Sequence, residues 1–246
     1  QSLIKRILDR CQYGWIKSQL LKRYHTLRKS SIVNLGGVKI KINPYISETI
    51  KNYIYLGDYE RNELCILQKI LQKDDVVLEI GTGLGLLSSF CAKSLGNHRV
   101  FTYEANPDLE PYIRENYEIN GVNPSLESCL IGEFNGEANF YLKQDFWSSS
   151  IIPRGRDVEL VKVPVKSFNQ EVTRFNPTLL IVDIEGGEYE LVKYAKFHNI
   201  RKVIIEIHTK ILGSQKSNYV IDQLAKAGFK INEKLSANEE FFWERN

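Results

Sequence analysis

Methionine is absent from the 246 residues, and the four cysteines are scattered. Cys11, Cys65, Cys91 and Cys129 form no CxxC pair. That spacing excludes a zinc ribbon and a dense disulfide framework, and it suits a reducing cytoplasm. Long apolar runs are missing too. The longest are VVLEI, LLIVDI and VIIEI, far short of the roughly 18 residues that a membrane span requires. The opening QSLIKRILDRCQYGW carries charges every few residues and lacks the apolar h-region of a secretory signal. Repeats and low-complexity tracts are absent. What is present is a foldable composition: 43% hydrophobic residues and a net charge of only +3 exclude global disorder. The length fits one elaborated domain or two small ones.

Charge is unevenly placed. Residues 1–47 hold ten Lys/Arg against Asp9, a net +9, so the rest of the chain sums to −6. Within this stretch Leu3, Ile7, Cys11 and Trp15 recur every four residues, as do Ile16, Leu20 and Tyr24. The spacing predicts an amphipathic helix with a basic face. Residues 1–29 therefore either dock on a membrane surface or an acidic partner, or pack on the body with their charges solvated. Aromatics do not interleave with the basic residues as a base-stacking surface requires, so no nucleic-acid partner is expected.

SIVNLGGVKIKIN reads as a hairpin turning at Gly36-Gly37, and residues 60–72 as an amphipathic helix. From residue 76 short apolar strands (76–80, 99–104, 126–131, 178–183, 201–208) alternate with helices near 85–95, 107–120 and 187–196. Such alternation predicts βαβ units and a parallel sheet. Asn106-Pro107 reads as a helix start. A hairpin (137–142), a polar loop (143–157) and VKVPVKS separate the third and fourth strands. A helix (215–227), a strand (229–234) and FFWER close the pattern as a final hairpin.

VVLEIGTGLG places Gly81, Gly83 and Gly85 after an apolar strand and before a helix. Glycines there permit a sharp turn and close approach to a ligand, whose negative charge the helix N-terminus favours. Glu104 ends the next strand about 20 residues on, where a carboxylate accepts both ribose hydroxyls of a nucleotide cofactor. The GxGxG spacing differs from the GxGxxG dinucleotide fingerprint, which disfavours an NAD-dependent oxidoreductase.

VVLEIGTGLG with FTYEANP resembles the first two motifs of class I S-adenosylmethionine-dependent methyltransferases. LIVDIEGGEYELVKYA followed by VIIEIH resembles the FkbM family of that class, as do GDYE (57–60), LIGEFNGEANFY (130–141) and VKVPVKSF. The resemblance runs from about Ile32 to the end. It implies an α/β, Rossmann-like fold with a seven-stranded, mostly parallel sheet flanked by helices. The helix and hairpin (1–58) then form an extension of a methyltransferase domain (59–246). It also implies that Glu79 faces the methionine end of S-adenosyl-L-methionine and that Gly81, Thr82, Gly83 and Gly85 wrap it. Glu104 would hold the ribose with Ala105 and Asn106 beside it, Gly132 and Glu133 would contact adenine, and Glu60 would reach the ammonium.

The fourth strand ends at Asp183, with Glu185, Gly186 and Gly187 in the turn and Glu188 entering a helix. Glu206 and His208, two apart at the end of the fifth strand, are expected to share one face. Asp183, Glu185, Glu206 and His208 are thus the catalytic candidates, with His208 or Asp183 as base. Asp183, Glu206 and His208 also suit a divalent ion, the less favoured reading. Trp147, Ser149 and Ser150 are candidates for the substrate wall, and Arg154 and Arg156 would suit an anionic acceptor. The expected reaction is O-methylation of a hydroxyl on a sugar, glycolipid or natural product. N-methylation of a peptide or amide, or a catalytically inactive binding protein, are the alternatives.

Overall fold

The computed structural model describes residues 14–28, 30–44, 46–142 and 159–245. Helix α1 (Gly14–Arg28) precedes the hairpin β1 (Ile32–Leu35) and β2 (Val38–Lys41) and the helices α2 (Glu48–Leu56) and α3 (Arg61–Ile70). Strands and helices then alternate: β3 (Val77–Ile80), α4 (Leu86–Leu95), β4 (Val100–Glu104), α5 (Glu110–Asn120) and β5 (Ser125–Ser128). Next come β6 (Leu130–Gly132), β7 (Gly136–Leu142), β8 (Glu159–Ser167) and α6 (Phe168–Phe175). The alternation resumes with β9 (Leu179–Val182), α7 (Glu188–Tyr194), β10 (Lys202–Glu206) and α8 (Thr209–Lys226), and ends in β11 (Lys230–Ile231) and β12 (Glu240–Glu244).

The central sheet has seven strands in the order β11-β12-β10-β9-β3-β4-β5. The run from β10 to β5 is parallel, and β12 pairs antiparallel to β10. This is the mostly parallel α/β sheet that the apolar runs predict. Every residue of β3 and β9 is buried, as strands covered on both faces must be. Alternate residues feed two cores. Val77, Leu179 and Ile204 pack with α3, α4 and α5 on one face, while Leu78, Leu180 and Val203 pack with α6 to α8 on the other. Beneath the sheet's N-terminal edge Asp75 is fully buried. It accepts from Lys202 Nζ (2.5 Å), Thr178 Oγ1 (2.8 Å) and the Gln72 amide (2.8 Å).

The β1–β2 hairpin lies against α5. Asn120 accepts from the Lys39 amide and donates to the Lys39 carbonyl, and Asn116 accepts from the Lys41 amide. These side chains take up backbone groups of an edge strand that would otherwise need water. Val33, Leu35, Val38 and Ile40 join the same apolar cluster as the sheet. His25 of α1 stacks on Tyr55 of α2, with centroids 5.5 Å apart. Leu20 and Leu27 are exposed, so Leu20 does not sit on a buried stripe as its spacing suggests. Leu3, Ile7 and Cys11 lie outside the described residues, as do the side chains of Trp15 and Ile16.

Several elements differ from the sequence expectations. The strand expected over 126–131 is two: β5 stays in the central sheet, and the chain leaves it at Cys129. β6 then joins a second sheet, ordered β6-β8-β7. Residues 137–142 are a single strand, β7, whose antiparallel partner is β8 in VKVPVKS. Helices α2 and α6 were not anticipated. The fifth strand ends at Glu206, so His208 is not on it but is the N-cap residue of α8. That helix starts before the expected residue 215 and kinks at Gly213.

Candidate active site

The carboxyl ends of the parallel strands open onto a cleft of about 540 Å³, a size typical of small-molecule sites, at the position where open α/β sheets bind ligands. Gly81 and Gly83 after β3 line it. So do Glu104 and Ala105 at the end of β4, Gly132 and Glu133 at the end of β6, and Asp183 and Glu185 after β9. Glu60 and Glu63 enter from α3, Glu206 from β10 and Glu240 from β12. Ten carboxylates and one guanidinium, Arg61, face this space.

The glycine loop is shaped by its neighbours. Gly81 has φ +85°, and a Cβ there would stand 1.7 Å from the Asp183 carbonyl oxygen. The loops after β3 and β9 therefore touch backbone to backbone, and only glycine fits. At Gly83 (φ +56°) a Cβ would meet Tyr59 Oη at 2.8 Å and Glu60 Oε1 at 3.0 Å. Glu104 ties the loop down. Its Oε2 accepts from the Thr82 and Gly83 amides (3.1 and 3.0 Å), and its Oε1 accepts from the Asn106 amide (2.9 Å). Burial raises its pKa, while these backbone bonds favour the carboxylate and oppose that rise.

At the other end of the cleft acids converge on one histidine. His208 Nδ1 lies 2.9 Å from Oε1 of Glu188, which is completely buried. Its Nε2 lies 3.5 Å from Glu185, 3.6 Å from Asp183 and 3.6 Å from Glu206. Burial works against a charged imidazole, but the close approach to Glu185, the hydrogen bond to Glu188 and the Asp183 charge outweigh it, and the pKa is pushed up to about 12. Burial raises the Glu206 and Glu63 carboxyls to about 7, with Glu240 adding to both. Glu206 and Glu240 are direct cross-strand partners, an arrangement that like charges disfavour. Asp183 is raised well above the usual carboxylate range by burial and by Glu206. Glu60 and Glu185 have positive φ (46° and 50°), a strain that persists only when surroundings enforce it.

Most of the predicted residues meet here, but in altered places. Glu79 does not face the cleft. It is buried beside Ser88 of α4, because the strand's alternation turns it to the helix side with Val77. Thr82, Gly85 and Asn106 lie behind the lining, although Thr82 and Asn106 hold Glu104 through their amides. His208 sits behind Asp183, Glu185 and Glu206 rather than at the mouth, and the carboxylates around it favour its protonated form, which does not act as a base. Trp147, Ser149, Ser150, Arg154 and Arg156 lie outside the described residues. Sequence reasoning missed Glu63 and Glu240. Glu63 is one helical turn after Glu60, a signal that was available. Glu240 is brought in only by the β10–β12 register.

A family model for the methyltransferase FkbM domain matches residues 75–231. The chain belongs to the FkbM methyltransferases. A Methanocaldococcus jannaschii protein named "Putative protein N5-glutamine methyltransferase" is 34% identical over 211 residues, 81% of this chain and 89% of its own. The protein-lysine N-methyltransferase EFM3 of Chaetomium thermophilum is 30% identical over 91 residues, covering 37% of this chain and 26% of that one. A solved methyltransferase from Pyrococcus furiosus has 17% identity and a TM-score of 0.45, over 93% of this chain and 98% of that chain. The expectation of this family, its class I fold and S-adenosyl-L-methionine as methyl donor therefore holds.

The cleft of this FkbM methyltransferase fits that cofactor. Ala105, Ile131 and Gly132 offer a surface without charge for a base, Glu104 stands at a strand end, and the acids lie where a cationic group gains most. Asp183 Oδ1 and Glu60 Oε2 are buried and have no hydrogen-bond partner, so both oxygens are available to a ligand. Among the described residues no helix is long and apolar enough to cross a membrane.

Proposed function

We propose that this enzyme transfers the methyl group of S-adenosyl-L-methionine to a side-chain nitrogen of a peptide or protein. The carrying observation is the similarity, across most of both chains, to the archaeal protein named for N5-glutamine methylation. The acidic cleft supports it, because N–H groups donate to carboxylates, and an amine also arrives as a cation. The comparisons favour this reading over methylation of a sugar hydroxyl.

The cofactor supplies a methyl group already activated by positive sulfur. The protein's part is alignment, which contributes several kcal/mol when nucleophile, methyl and leaving group are held in line. Glu104 accepts the ribose hydroxyls alongside its loop amides, and Ala105, Ile131, Gly132 and Glu133 bracket the adenine. Glu60 takes the cofactor's ammonium with its unpartnered oxygen. Glu185, held in its left-handed conformation at the cleft wall, faces the acceptor nitrogen and receives its proton, a role worth about 10²–10⁴ in rate.

The test is methyl transfer from radiolabelled cofactor to peptide and protein pools, with mass spectrometry locating the added methyl. Label on glutamine or lysine nitrogen is the expected result. Label confined to sugar or lipid hydroxyls would overturn the nitrogen assignment, and failure to bind S-adenosylhomocysteine would overturn the cofactor site.

A further inference from the structure

We infer that Asp183, Glu206 and His208 form a binding site for one divalent cation of the Mg²⁺/Mn²⁺ class, with Glu188 orienting the histidine. One donor atom from each of the three residues lies within 4.8 Å of the others. His208 Nε2 is 3.6 Å from both Asp183 Oδ1 and Glu206 Oε1. Around a six-coordinate ion with bonds of about 2.1 Å, neighbouring ligand atoms stand roughly 3 Å apart. Small side-chain adjustments therefore close the shell.

Ion pairing alone explains this arrangement poorly. Glu185, Asp183 and Glu206 oxygens surround Nε2 at 3.5–3.6 Å, and none is at normal hydrogen-bond length. The donor atoms of Asp183, Glu206 and His208 also lie close to one another, as ligands of one ion must. A cation between them meets Nε2 and the carboxylates directly.

Two independent observations point to a ligand. The first is the support behind the histidine. Nδ1 is bound at 2.9 Å to Glu188, a carboxylate with no exposure at all. A carboxylate holding one ring nitrogen so that the other points at a metal is the usual second layer of a histidine ligand. The second is Glu63, more than nine-tenths buried and facing the same acids. Asp183 Oδ1, one of the three donor atoms, is itself buried and has no hydrogen-bond partner. Glu63 and the cross-strand pair Glu206 and Glu240 add three carboxyl groups around the same space. Two carboxylates and one imidazole favour a hard, oxygen-preferring ion and leave positions open for water or an acceptor oxygen.

The experiment is Mn²⁺ titration of the full chain by electron paramagnetic resonance, with S-adenosylhomocysteine affinity in chelator as a separate readout. One saturable equivalent of Mn²⁺ is expected in the wild type. Asp183→Asn and Glu206→Gln should each weaken it at least about tenfold, and Glu188→Gln by about 10–100-fold. A wild-type readout covers variants that fold poorly: Mn²⁺ should broaden the His208 ring signals and leave those of His98 and His198 sharp. Absence of saturable binding at millimolar Mn²⁺, binding that the three substitutions leave unchanged, or an unbroadened His208 would each overturn the site. S-adenosylhomocysteine binding that persists in those cases would leave the methyltransferase reading standing.

Discussion

Replacing Glu104 with alanine tests whether one side chain serves both fold and cofactor. In the ligand-free protein its carboxylate accepts three backbone amides, those of Thr82, Gly83 and Asn106. Hydrogen bonds to a charged acceptor are worth about 1.5–3 kcal/mol each, and stranded buried amides cost about 1–3. The sum overstates the loss, because the variant no longer buries a carboxylate and water from the cleft can reach the amides. A net destabilisation of roughly 2–4 kcal/mol remains, which for a chain of this length lowers Tm by about 5–12 °C. Thermal melts without ligand measure that part, and calorimetry with S-adenosylhomocysteine measures the lost ribose contacts. An unchanged ligand-free Tm would refute the structural half of the reasoning. An unchanged affinity would refute the ribose half.

Glu79 is buried, and its pKa is raised to about 8, by burial first. The native state thus binds a proton that the unfolded state gives up near its ordinary value of 4.5. Stability falls as pH rises from there through 8, by at most roughly 4–5 kcal/mol. Glu79→Gln should therefore melt like wild type near pH 5 and higher than wild type above pH 8, and parallel melting curves at both pH values would disprove the shift. Gly81→Ala places a methyl 1.7 Å from the Asp183 carbonyl and should cost more than about 3 kcal/mol; normal expression and melting would contradict the contact. Asp75→Asn strips Lys202 of its buried partner, at about 3–5 kcal/mol by chemical denaturation, and adding Lys202→Met should restore more than half. A double variant no more stable than Asp75→Asn would count against that pairing.

The parallel sheet was readable because VVLEI, LLIVDI and VIIEI are uninterrupted apolar runs, the pattern of strands buried on both faces. The glycine loop and Glu104 were readable because spacing within one βαβ unit is local. What failed was non-local. Nothing in residues 126–131 says that the chain changes sheets at Cys129; that depends on β8, more than 25 residues later. Helix α2 carries its own punctuation, Ser47 accepting from the Ile50 amide and Gly57 in the left-handed conformation, yet Tyr53 and Tyr55 made its apolar pattern less regular. His208 was legible as functional chemistry, but the raised pKa of its imidazole was not, since that depends on four carboxylates drawn from three segments. Glu240 entered the cleft only through pairing with β10.

The contact between Gly81 and the Asp183 carbonyl carries a lesson for anyone building chimeras of this enzyme. The loop expected to grip the cofactor and the loop that begins the acidic wall are interlocked at one point. Neither can be exchanged for a relative's version without its mate. A graft of the β9 turn, made to change what the enzyme methylates, would also reset the backbone that cradles the donor. Selection on either loop therefore acts on both, and acceptor preference and cofactor affinity should drift together in any library that varies only one of them.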